Sequence, residues 1–193
     1  MKKIHIIIVL FLFSIGGLIT YWVTKPNFEL GKYETLHEAI EKAIPYEVNN
    51  IIHNELYDGV TIIMYTTDPD KEELPLADYE ALAVAFFKGN DKDGWENIGH
   101  HGWTHYENEN LTVYFEPLRE FKDTGETLHE FYVVFGEINN PEIVRVETKS
   151  PEEKNFEEAK ILTKYGRYYF NIGRETIVRG LSEDGKVLDQ QGG

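Results

Sequence analysis

The sequence predicts an α+β, β-rich protein: antiparallel sheets with one N-terminal helix packed on them, the whole preceded by a transmembrane helix. Three observations lead there. Residues 4–23 form an almost unbroken apolar run behind Lys2 and Lys3. A single amphipathic stretch follows, opened by the capping pair Thr35 and Glu38. From residue 47 onward, short β-branched and aromatic segments alternate with Asp-Gly, Asn-Pro and other turn pairs, the rhythm of antiparallel strands.

The apolar run comes first. Its twenty positions reach about 30 Å as a helix, the thickness of a bilayer's hydrocarbon core. Thirteen of them are Ile, Leu, Val or Phe, and Tyr21 and Trp22 close the run where aromatic rings sit at a membrane–water interface. Lys2 and Lys3 precede it, and only Lys25 follows before Glu29, so the positive-inside rule keeps the N-terminus cytoplasmic and sends the rest across. Residues 1–25 are thus expected to be a single-pass anchor, 26–33 a linker, and 34–193 an extracytoplasmic domain. A cleaved signal peptide, releasing a secreted domain, is the competing reading. The run is long for one, and residues 19–24 offer no Ala-x-Ala site.

Beyond the anchor, 16 Lys and Arg stand against 34 Asp and Glu. That excess argues against nucleic acid, which binds through basic side chains that neutralise phosphates. It keeps the domain soluble and attracts cations or basic partners. The chain has no cysteine, so disulfides, thiolate metal sites and thiol nucleophiles are excluded.

The elements follow in order. Thr35 caps a helix whose apolar face is Leu36, Ala39, Ile40, Ala43 and Ile44, and Pro45 stops it. Residues 47–57 read as helix or strand. The Asp58-Gly59 hairpin signal favours a strand, paired with a second over 60–66. Residues 68–75 form an acidic loop. A strand over 81–87 carries Ala81, Ala83 and Ala85 on one face, where the helix can approach closely. Turn chemistry at 89–94 is followed by alternation over 111–115, which places Leu111, Val113 and Phe115 inward. Residues 131–135, apolar on both faces, read as a central strand. Asn139-Asn140-Pro141 turns into a strand over 143–148. Residues 150–158 form an acidic connection with a helical turn begun at Pro151. Short strands over 159–163, 167–172, 176–180 and 187–189 complete some eight to ten.

Two stretches carry a resemblance. One is the run from Val84 through Phe87-Lys-Gly-Asn-Asp-Lys-Asp-Gly-Trp95 to Asn97. The other runs from Phe135-Gly-Glu-Ile-Asn-Asn-Pro141 through Tyr168-Tyr-Phe170 to Gly180-Leu-Ser-Glu-Asp-Gly-Lys-Val-Leu188. Together they resemble uncharacterised membrane-anchored or exported proteins of Gram-positive spore-forming bacteria. The resemblance implies an envelope location and a β module, and it brings no catalytic motif.

The densest cluster of chemistry-bearing side chains spans residues 95–107. Trp95, Asn97, Trp103 and Tyr106, with Glu107 beside them, are residue types that stack on sugar faces and hydrogen-bond their hydroxyls; the expected partner is a cell-wall glycan or an envelope protein. The alternative is a metal-binding or hydrolytic domain using His100, His101 and His105 with Glu107 as fourth ligand. On a strand, residues four apart lie about 13 Å apart, so a shared metal needs the loop to fold back, which Gly99 and Gly102 permit. Asp91-Lys-Asp93-Gly94 fails the calcium-loop pattern, because residue 89 is Gly and residue 100 is His at the key ligand positions. No nucleophile elbow, phosphate loop or His-Glu-x-x-His is present. The sequence therefore predicts no cofactor, and non-enzymatic binding or interaction at the cell envelope as the function.

Overall fold

The computed structural model describes residues 31–72, 74–99, 102–174 and 176–192. The expected anchor, residues 1–25, lies outside them. Among the described residues no helix is long and apolar enough to cross a membrane. They form a β-rich fold of antiparallel sheets with one short helix.

That helix, α1 (Leu36–Ala43), begins as the capping pair predicts. Thr35 Oγ1 accepts from the Glu38 N–H at 3.1 Å, and the Glu38 carboxylate reaches back to the Glu34 N–H at 3.0 Å. Lys42 pairs with Glu38 one turn on, at 2.7 Å. Ile44, before Pro45, is already extended (φ −89°, ψ 125°).

Among the described residues, thirteen strands build three sheets. The first takes β1 (Asn50–Tyr57), β2 (Val60–Thr67), β3 (Ala81–Asn90) and β4 (Gly94–Asn97) in that order, with β5 (Trp103–Thr104) also pairing β3. The second takes β6 (Tyr114–Phe121), β7 (Thr127–Glu137), β10 (Lys160–Leu162) and β11 (Tyr168–Ile172) in the order β10-β11-β7-β6. The third holds β8 (Arg145–Lys149), β9 (Glu157–Glu158), β12 (Ile177–Leu181) and β13 (Val187–Gln191) in the order β13-β12-β8-β9. The Asp58-Gly59 turn joins β1 to β2 with both residues at positive φ (49° and 76°), the mirror-image turn that matches strand twist.

The sheets stack in layers. Ala39, Ile40 and Ile44 pack on Ile63, Tyr65, Ala83, Ala85 and Phe87 of the first sheet, so the small side chains of β3 do face the helix. The opposite face, including Ile62, Met64, Val84 and Phe86, meets Leu118, Val133, Phe135 and Phe170 of the second sheet. The second sheet's far face, through Val134 and Tyr169, meets Val146 and Val178 of the third. The order is helix, sheet, sheet, sheet. Strands β2, β3 and β7 are therefore covered on both faces, and β2 is buried along its whole length.

Two expectations are corrected. Leu111, Val113 and Phe115 do share a face, but that face looks toward the third sheet, whose cover ends before Phe115; Phe115 is 39% exposed while its neighbour Tyr114 points into the main core. Pro151 begins a turn and no helix; the Glu153 side chain accepts from the Ser150 N–H at 2.9 Å and closes that turn locally.

A candidate ligand-binding cleft

Strand β3 outruns its neighbours on one edge. It pairs β4 over Phe87–Asn90 and β5 at Leu82 and Ala83, and the Ile98 N–H still donates to the Phe86 carbonyl at 2.9 Å. Gly99 lies close against the core: a Cβ there would stand 2.5 Å from the ring of the buried Phe86. After β5 the chain crosses from the first sheet to the second and enters β6 at Tyr114. A cleft of about 380 Å³ opens at this crossing, and Trp103, Thr104, Tyr106, Tyr114, Phe115 and Glu116 line it. That volume lies in the range of small-molecule sites.

The aromatic walls are held by polar bonds. Tyr106 donates its hydroxyl to Gln191 Oε1 at 2.8 Å and accepts the Val113 N–H at 2.6 Å. Its own N–H donates to the Tyr114 hydroxyl at 3.3 Å, and the two rings meet edge to face with centroids 5.4 Å apart. Gln191 also donates to the Leu111 carbonyl at 2.7 Å, so the last strand of the third sheet braces the crossing. Burial pushes the Tyr106 and Tyr114 hydroxyls above the usual tyrosine range, against the opposing effect of their hydrogen bonds. Both therefore stay protonated at neutral pH and able to donate.

The predicted ligand residues divide. Trp103 and Tyr106 line the cleft. Trp95 lies on β4, donates its indole N–H to Asp91 at 2.7 Å, bridges the Tyr33 backbone and packs in the helix layer. Asn97 ends β4, donating to the Ala43 carbonyl at 3.4 Å and accepting the Gly99 N–H at 3.1 Å. Those two positions shape the turn and seat the helix, away from the cleft. Trp103 also touches the helix layer and meets Tyr79 edge to face at 6.3 Å.

Of the predicted metal ligands, His100 and His101 lie outside the described residues. His105 stacks flat on Tyr79, centroids 3.8 Å apart at 10°. Among the described residues no three His, Cys, Asp or Glu side chains are placed to hold a metal. A second polar cluster sits elsewhere: His129 Nδ1 lies 2.8 Å from Asp58 and its Nε2 3.6 Å from Glu120, which Lys88 pairs at 2.8 Å. It ties the β1–β2 turn to the β6–β7 hairpin.

Sequence reasoning missed Thr104, Tyr114, Phe115 and Glu116. Each reaches the cleft through the crossing between two sheets, which leaves no local pattern. No family model, no curated protein and no solved structure matches the chain.

Proposed function

We propose that this chain is a membrane-anchored extracytoplasmic domain that binds a glycan of the cell envelope and performs no chemistry on it. One observation carries the reading: Trp103, Thr104, Tyr106, Tyr114, Phe115 and Glu116 all line a single cleft at the crossing between the first two sheets. Apolar rings that cover a sugar's C–H faces, with a few polar groups to orient its hydroxyls, are the usual composition of such sites. Location supports it as well. The apolar run behind two lysines and the resemblance to exported proteins both support a location beside wall polymers, and the sequence carries no recognised catalytic signature.

Retention of the full chain on purified Gram-positive cell wall tests the proposal. Trp103→Ala and Tyr106→Ala are expected to reduce retention about tenfold or more, roughly 1.4 kcal/mol of binding free energy. Trp95→Ala, outside the cleft, should leave it within twofold. Thermal melts confirm that each variant is folded. Retention that survives both cleft substitutions would contradict the proposal.

A further inference from the structure

We infer that the end of the fold where the chain enters rests on the lipid bilayer, with Leu56, Tyr57, Phe121 and Leu128 in the headgroup layer, so that the cleft at the far end faces outward. This rests on the membrane-anchored reading above and adds how the domain stands on its membrane.

Three turns and the chain entry share that end. Tyr33 exchanges backbone hydrogen bonds with Trp95 at 2.8 Å, beside the β3–β4 turn. The β1–β2 turn lies next to the same end of β3, because Thr61 pairs Phe87. The β6–β7 hairpin is clamped to both. His129 bonds Asp58 at 2.8 Å, Lys88 bonds Glu120 at 2.8 Å, and the Tyr57 and Phe131 rings meet edge to face at 5.0 Å. The cleft begins at the other end of β3, where Leu82 and Ala83 pair β5. From Asn90 to Leu82 is about 26 Å of strand.

The exposed apolar side chains follow this polarity. Leu56 is 71% and Phe121 57% exposed; Tyr57 and Leu128 are exposed too, and all four lie within two residues of a turn. Aromatic rings favour the membrane–water interface, and clamped hairpin tips present them without further ordering. Carboxylates here are bonded within the fold, which limits the charge this end presents. Besides Asp58 and Glu120, Glu126 holds Lys122 at 2.7 Å, Asp91 the Trp95 indole at 2.7 Å, and Asp93 the Asn90 amide at 2.9 Å. The loop over 68–80, at the cleft end, sets six carboxylates against Lys71, and an anionic membrane surface repels it. The linker 26–33 reaches at most about 28 Å from the expected anchor, so contact of this end with lipid is effectively intramolecular.

The full chain in nanodiscs of phosphatidylcholine and phosphatidylglycerol, one copy per disc, tests the inference without a second copy to shield the tips. The sequence has no cysteine, so Thr124→Cys at the hairpin tip and Leu76→Cys at the cleft end each accept a single fluorophore. Lipid spin-labelled near its headgroup should quench the label at position 124 about twofold or more, and the label at 76 by less than about a tenth. Leu56→Ser with Phe121→Ser should lower quenching at 124 to the level at 76 and leave the thermal melt unchanged. Equal quenching at the two positions, stronger quenching at 76, or quenching that survives the double substitution overturns the inference. Wall retention, measured separately, then still supports the glycan reading. A chain that does not enter the discs overturns the anchor and this inference together.

Discussion

Glu137 shows how a single side chain can be set against the layer it sits in. It ends β7 between the first two sheets, and burial, then the Glu80 carboxylate, push its pKa above the usual carboxylate range. An acid whose pKa rises on folding lends its full stability below the unfolded value and loses it as pH climbs through the raised one. Glu137→Gln removes that loss. The variant should melt above the parent near pH 8, and the gap should close toward about pH 4, near the unfolded glutamate pKa. A gap independent of pH would contradict this origin. Gly136, its neighbour, answers to sterics: a Cβ there would lie 2.0 Å from the Thr112 carbonyl, the same oxygen that accepts the buried Tyr169 hydroxyl at 2.8 Å. Both facts were hidden in the sequence, where Gly136-Glu137 reads as an ordinary strand end. Trp103 and Tyr106 were legible as ligand-type residues because residue type alone suggests them. Trp95 was misleading for the same reason: nothing local says that its indole is committed to Asp91.

At the scale of the element, local chemistry was a good guide wherever the element is specified locally. Helix α1 stands on one cap and one stop, and both were readable. Thr35→Ala removes the acceptor for the Glu38 N–H and should cost about 1 kcal/mol, within the roughly 0.5–2 range of such caps. Chemical denaturation measures it, and an unchanged midpoint would mean that packing on Ala83 and Ala85 holds the helix without its cap. The Asp58-Gly59 and Asp184-Gly185 turns were equally plain, and each joins the strands expected of it. The phase of residues 111–115 was not. Alternation identifies which residues share a face, and it did so correctly. It does not say which of two faces is covered or how far the cover extends, so Phe115 was placed inside. Strands β4 and β5 were missed because at four and two residues they carry too little pattern to register.

On the scale of the whole molecule, the described residues form a stack of one helix and three sheets, and that layering was only partly readable. Apolar residues on both faces of 131–135 announced a strand buried on two sides. The same signature in β2 was present but could not reveal what lay on each side. Which sheets face one another depends on contacts far apart in sequence, such as Phe86 against Phe131, centroids 5.8 Å apart, or the Lys160–Glu55 ion pair that joins the edges of the first two sheets. The cleft is a product of that stacking. It forms where the chain steps from the first layer to the second, braced from the third by Gln191. Amide chemical-shift mapping of the isotope-labelled full chain, titrated with soluble wall glycan fragments, tests this account most directly. Perturbations should cluster at residues 102–106, 113–116 and 135, with a second trace at Gln191. Shifts confined to the β8–β9 or β12–β13 edges, or no shifts at saturating glycan, would contradict it.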